Sequence, residues 1–108
     1  EVFVTSKLWN TFHAPEHVPL GLKKTLEDLG LEYLDLYLVH FPLALAFVPL
    51  EDRYPPGWVD PSEEDPTVSF APVPLQKTWR AMEALVAEGR VRNLGLSNVR
   101  CAQLWDLL

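Results

Sequence analysis

Tyr33-Leu34-Asp35-Leu36-Tyr37-Leu38-Val39-His40-Phe41-Pro42 is the stretch on which the architecture of this 108-residue chain turns. Leu34 to Val39 is apolar on both faces except for Asp35. That is the pattern of a parallel strand covered above and below, not of a half-exposed alternating one. Proline cannot donate to a ladder, so pairing stops at Pro42. An imidazole, His40, therefore stands at the C-terminal lip of a buried strand, where α/β folds gather their chemistry.

On the N-terminal side, the β-branched and aromatic run from Val2 to Ser6 predicts a strand over about 2–7. Val18, Leu22, Leu26 and Leu29 then recur at helical spacing with Lys23, Lys24, Glu27 and Asp28 opposite, which predicts a helix over about 16–29. Pro19 and Gly21 weaken its first turn and put the regular part nearer Val18. Gly30 is placed to end it. On the C-terminal side, residues 43–73 form a long connection holding Pro49, Pro55, Pro56, Pro61, Pro66 and Pro72. A loop longer than ~12–15 residues in a compact domain is functional or disordered. Phe47, Val48, Tyr54 and Trp58 argue for order in its first half, whereas Pro61 to Pro66, with Glu63, Glu64 and Asp65, reads as solvated.

A second helix is expected over about 74–88, burying Leu75, Trp79, Met82 and Val86 and closed by Gly89. A third strand follows over about 91–96. The pair Ser97-Asn98 then opens a last helix over about 99–108, with Leu104, Leu107 and Leu108 inward. Strand, helix, strand, helix, strand, helix implies a parallel sheet with right-handed crossovers, which put all helices on one side. Strands apolar on both faces then need cover on the other side, and in a (β/α)8 TIM barrel the barrel interior supplies it. A doubly wound sheet would require a reversal of strand order for which no signal exists. The expectation is a partial (β/α)8 barrel of α/β class.

A net charge of −6 with scattered Lys and Arg argues against a nucleic-acid surface. No apolar run approaches the ~20 residues that span a bilayer, and no signal peptide is visible. The lone Cys101 forms no internal disulfide, so a reducing, cytoplasmic location is expected. The chain starts already in a strand at Glu1-Val2 and stops inside a helix at Leu108, so residues 1–108 are expected to be a piece of one larger domain.

Three polar features fall at the three predicted strand ends: Lys7, His40, and Ser97-Asn98. Singly, each has a plain structural explanation: a solvated lysine, a locally bonded histidine, a helix N-cap. Together they matter more, because a barrel brings successive strand ends to one rim. His13 and His17 flank Pro15, but no Cys or acid completes a metal set, so no metal site is expected. Asp35 is expected to be a hydrogen-bonded structural residue; Cys101, Trp58, Trp79 and Trp105 are expected to pack.

Thr5-Ser6-Lys7-Leu8-Trp9, then Leu31 through Pro42, then Gly95-Leu96-Ser97-Asn98 resemble the aldo-keto reductase family. Phe47-Val48-Pro49-Leu50-Glu51-Asp52-Arg53-Tyr54-Pro55-Pro56-Gly57 resembles the long substrate-side loop of its fungal D-xylose (aldose) reductases. The resemblance covers essentially the whole chain and corresponds to about the middle third of the family's barrel. It implies NADPH-dependent reduction of aldehydes and ketones, aldoses such as xylose included, by hydride transfer, with NADH as the alternative cofactor. It assigns Lys7 to lowering the pKa of a proton-donating tyrosine, and His40 to orienting the substrate carbonyl. Ser97 and Asn98 match the pair that holds the nicotinamide carboxamide; Trp9 and Phe41 match apolar walls of the substrate pocket. Phe41 departs from the Trp of many relatives, but Phe also occurs in aldose-reducing branches. The tyrosine and the aspartate bonded to the lysine belong to segments before residue 1, and Tyr33, Tyr37 and Tyr54 do not fall in that tyrosine's context. Two expectations follow: part of an aldose reductase, inactive as an isolated chain, or a truncated non-catalytic product acting as an interaction module. In either case, open sheet edges favour self-association.

Overall fold

The computed structural model describes residues 1–60, 64 and 67–108. The expectation of a solvated Pro61–Pro66 segment lies outside these residues except at Glu64, which is exposed. The elements are β1 (Thr5–Leu8), a 3-10 turn (Asn10–Phe12), α1 (Val18–Leu29), β2 (Leu34–Val39), α2 (Leu75–Ala87), β3 (Val91–Leu96) and α3 (Cys101–Leu107). The strands lie in the order β1-β2-β3, and both pairs are parallel. Among the described residues, no helix is long and apolar enough to cross a membrane.

β1 is shorter than the β-branched run suggested. Val2 and Phe3 are 79% and 66% exposed. The Val4 N–H donates to the Asp35 carboxylate at 2.8 Å instead of to a backbone carbonyl, so regular pairing starts only after it. Asp35 thus has the structural role expected of it. α1 starts at Val18 and ends at Gly30, whose φ of 67° is the left-handed conformation that a residue without Cβ reaches at little cost. It buries Val18, Leu22 and Leu26, each worth about 1.5–3 kcal/mol. Leu29 is half exposed.

In α2 the buried stripe is Thr78, Met82 and Leu85, with Leu75 and Trp79 partly buried against the core and Val86 left out. The stripe is rotated from the expected one because a polar residue sits in it. The Thr78 hydroxyl donates to the His13 carbonyl at 2.9 Å, which satisfies both groups in the core. The last helix also differs. It buries nothing, with Trp105 and Leu108 82% and 89% exposed; Gln76 of α2 reaches it through a hydrogen bond to Asp106 Oδ2 at 2.7 Å. Its start falls at Arg100, whose N–H is capped by Gln103 Oε1 at 2.9 Å, and not at Ser97-Asn98.

One sheet face packs on α1 and α2. There Leu8, Tyr37 and Val39 are essentially inaccessible and join Leu22, Met82 and Leu85 in the core. The other face carries Thr5 and Lys7 on β1, Leu36 and Leu38 on β2, and Asn93 and Gly95 on β3, side by side by register. Thr5, Lys7 and Asn93 are exposed and the two leucines only half buried. The double cover expected for the strands is therefore present on the helix side alone.

The long connection is closed at its base. Ala46 N–H donates to Ser69 O at 2.8 Å, Ala71 N–H to Ala44 O at 3.0 Å, and Leu45 bridges Phe70 antiparallel. Leu45 N–H also donates to Asn10 O at 2.9 Å, anchoring this neck to the turn after β1.

His13 lies in that turn, 1% exposed, with its Nε2 unpartnered among the described residues. Burial pushes its pKa down from 6.5 to about 4. The folded chain keeps this imidazole neutral, whereas the unfolded chain protonates it below pH 6.5. Stability is therefore intact above pH 6.5 and is lost as pH falls from 6.5 towards 4, by up to ~3 kcal/mol. Urea titrations of the complete reading frame at pH 7 and pH 4.5 are expected to show that loss, and His13→Phe to remove most of it. An equal pH dependence in the two proteins would refute the assignment.

Candidate active site

The parallel register puts the C-terminal ends of all three strands together. Lys7, Leu38 and Gly95 form one row on the open face. Two further bonds carry the ladder past its last registered row: His40 N–H to Leu8 O at 3.1 Å, and Ser97 N–H to Val39 O at 2.9 Å. By alternation His40 and Ser97 then fall on the same face as Lys7, one step nearer the lip. Asn98 follows at φ 56°, a left-handed conformation that asparagine tolerates better than most residues. From there its Nδ2 donates to the His40 carbonyl at 2.8 Å and to Ser97 Oγ at 3.1 Å. The three sequence positions at the strand ends are thus one cluster.

Desolvation, with a smaller contribution from the positive charge of Lys7, holds the His40 imidazole below its ordinary range. At pH 7 the ring is neutral and offers one N–H and one lone pair. Its ring stacks on Phe41, with centroids 4.8 Å apart and planes at 14°. Trp9 stands edge-on to His40 at 5.2 Å and to Phe41 at 6.3 Å. Trp9, His40 and Phe41 are therefore adjoining, with one aromatic ring edge-on to the imidazole and the other stacked on its face.

Trp58 completes this wall, with its ring 5.0 Å from Trp9 and 5.5 Å from Phe41. It was expected only to pack; it is 44% exposed. No spacing rule reaches across the loop to find it. The signal that could have served is an aromatic directly after Pro55-Pro56-Gly57, a rigid segment that aims the next side chain. The Trp9 indole N–H donates to Gly57 O at 2.9 Å and so fixes this part of the loop over β1.

A second tether joins the loop to α1. Tyr54 OH donates to Asp28 Oδ2, Lys24 pairs with Asp28 Oδ1 at 2.7 Å, and the Lys24 ammonium lies 4.6 Å from the Tyr54 ring centre. A cleft of about 210 Å³ between α1, β1 and this loop is lined by Lys7, Trp9 and His40 as well as Lys24, Asp28 and Tyr54.

The tyrosines sit in different surroundings, and two of them, Tyr37 and Tyr54, line the same cleft as Lys7. Tyr37 is on the opposite sheet face, where burial raises its pKa. The hydrogen bond to Asp28 raises that of Tyr54. Tyr33 lies under the Arg92 guanidinium at 4.2 Å. His13 and His17 are not brought together on a ligand: the first is in the core, and the second stacks on Phe47 at 3.6 Å.

Residues 1–107 match the model of the aldo/keto reductase family. The chain belongs to the aldo/keto reductase family. Among similar aldo/keto reductases, the NADPH-dependent aldose reductase of Saccharomyces cerevisiae is 48% identical over 110 residues, covering 100% of this chain and 34% of its own. The NADPH-dependent D-xylose reductase of Candida boidinii is 52% identical over 108 residues, with coverages of 100% and 33%. The solved aldose reductase of Schistosoma japonicum superposes with a TM-score of 0.83 at 40% identity, over 98% of this chain and 33% of its own. The chain therefore spans about a third of the length of these aldo/keto reductases. Its open sheet of three parallel strands with helices fits part of a (β/α)8 barrel.

Proposed function

We propose that this chain forms the central third of a reductase that converts the open-chain aldehyde of aldoses such as xylose to the alditol, with NADPH as hydride source. The observation that carries this is the convergence of Lys7, His40, Ser97 and Asn98 on one lip beside an aromatic wall. The sugar assignment draws on relatives named as aldose and D-xylose reductases, with NADPH or either cofactor.

The chemistry of the lip suits that reaction. Asn98 commits Nδ2 to the chain, so its Oδ1 can accept from an amide N–H while the Ser97 hydroxyl donates to an amide oxygen. That donor and acceptor pair fits the carboxamide of nicotinamide, which when bound supplies the hydride. The neutral His40 donates its N–H to the substrate carbonyl oxygen and polarises it towards attack. The Lys7 ammonium lowers the pKa of a phenol within ~4–6 Å by ~1–3 units, towards working pH. That phenol, the proton donor, and its aspartate are contributed by sequence preceding residue 1. Trp9, Phe41 and Trp58 give the sugar chain an apolar wall, and the proline-rich loop holds them in place. Metal plays no part in this scheme, and neither nucleic acid nor membrane is a partner; the enzyme works in the cytoplasm.

Expressing the complete reading frame and following NADPH and NADH oxidation with xylose tests the proposal. Xylose-dependent oxidation, faster with NADPH, is expected. A complete frame that oxidises neither cofactor with any aldose or simple aldehyde would overturn it. The open sheet face favours the second reading, a non-catalytic interaction module, and that result would support it.

A further inference from the structure

We infer that Gly95 is a positioning residue for Lys7 and acts through Leu38. The inference rests on the catalytic role proposed above for Lys7.

Lys7, Leu38 and Gly95 are register partners across β1, β2 and β3, so their side-chain positions form one row on the open face. A Cβ built on Gly95 would lie 2.5 Å from Leu38 Cδ2 and 3.7 Å from Leu36 Cδ1. Carbon atoms in contact sit ~3.5–4.0 Å apart, so the Leu38 methyl already occupies the space a side chain at 95 would need. Leu38 therefore leans towards β3, away from Lys7.

Backbone conformation does not account for this glycine. Gly30 and Gly89 have positive φ, of 67° and 77°, and Gly95 does not. A glycine inside a strand weakens it, through chain entropy and lost packing. Space for a neighbour is what remains. Leu36 flanks Leu38 towards the strand start, and the backbone of the sheet lies beneath. A methyl at 95 therefore has to displace the Leu38 branch, whose register partner on the other side is Lys7. Because Leu38 ends in a flexible branch, the displacement moves side chains and leaves the strands in register. Gly95 keeps the ammonium clear to face the phenol whose acidity it sets.

The test compares three proteins made from the complete reading frame: wild type, Gly95→Ala, and Gly95→Ala with Leu38→Ala. In the first variant kcat is expected to fall on the order of 10²-fold. KM is expected to change much less. The basic limb of the kcat–pH profile is expected to move up by about one unit, as the cation loses contact with the phenol. The double variant, which removes the branch that is displaced, is expected to recover most of kcat and the wild-type profile. The side-chain chemical shifts of Lys7, followed by NMR with labelled lysine, should change in the first variant and return in the second. A Gly95→Ala protein with the wild-type profile and wild-type Lys7 chemical shifts would overturn the inference. So would a loss that the second substitution does not repair, or failure of both variants to fold. The lysine chemical shifts do not depend on turnover. A wild type without reductase activity would therefore count against the proposed function, while the NMR comparison still decides whether Gly95 acts on Lys7.

Discussion

Replacing Lys7 by Ala in the complete reading frame is expected to lower kcat with xylose by ~10²–10⁴-fold, the range that general acid catalysis contributes. Under the proposed function the ammonium stabilises the phenolate form of the proton donor. Without it the phenol becomes a weaker acid, and the basic limb of the pH profile moves upward by ~1–3 units. His40→Ala is expected to cost a similar factor for a different reason. In the proposed mechanism the imidazole holds the carbonyl where hydride arrives, so its loss is expected to lower kcat and raise KM while leaving the basic limb in place. Since burial and the neighbouring cation hold His40 below the ordinary imidazole range, the donating neutral ring persists to mildly acid pH. The acid limb should accordingly lie below pH ~6.5. Stopped-flow and steady-state profiles of wild type and both variants separate these roles. Wild-type rates in either variant would refute the corresponding assignment.

The second large effect concerns the 108-residue chain by itself. It is expected to show no reductase turnover, and to elute from size-exclusion columns as concentration-dependent oligomers that bind hydrophobic dyes. Folding leaves only ~5–15 kcal/mol in a complete domain, a small difference between large terms. This chain leaves Leu36 and Leu38 only half covered, exposes Trp105 and Leu108, and presents β1 and β3 as unpaired parallel edges. Such edges pair with whatever strand they meet. A dilute monomer with sharp, well-dispersed amide resonances and no dye binding would contradict this expectation.

Much of the architecture was legible because it rests on local signals. The apolar block of Leu34 to Val39 became β2, and Gly30 ended α1 where its conformational freedom predicted. Lys7, His40, Ser97 and Asn98 stand at one lip because parallel register brings successive strand ends together. What was missed depends on contacts distant in sequence. The β1 boundary moved because Asp35 captures the Val4 N–H from the next strand. The α2 stripe turned because Thr78 bonds a carbonyl far back along the chain, a contact no hydropathy pattern encodes. α3 buries none of its residues despite its helical periodicity, and it touches α2 through a polar link from Gln76 to Asp106. Trp58 reached the aromatic wall only because the loop is held by Trp9, a link between segments without common spacing.

The neck of that loop has an evolutionary consequence. Ala44 and Ala71 are held together by a backbone bond, with the Leu45–Phe70 bridge beside it. Chain inserted or removed between them leaves the strands where they are. Each doubling of such a segment costs only ~0.6 kcal/mol in closure entropy. The loop is thus an exchangeable cassette on a fixed chassis, and under the proposed function lineages could diversify the sugars they accept by splicing new lengths there while the strand-end cluster is inherited unchanged.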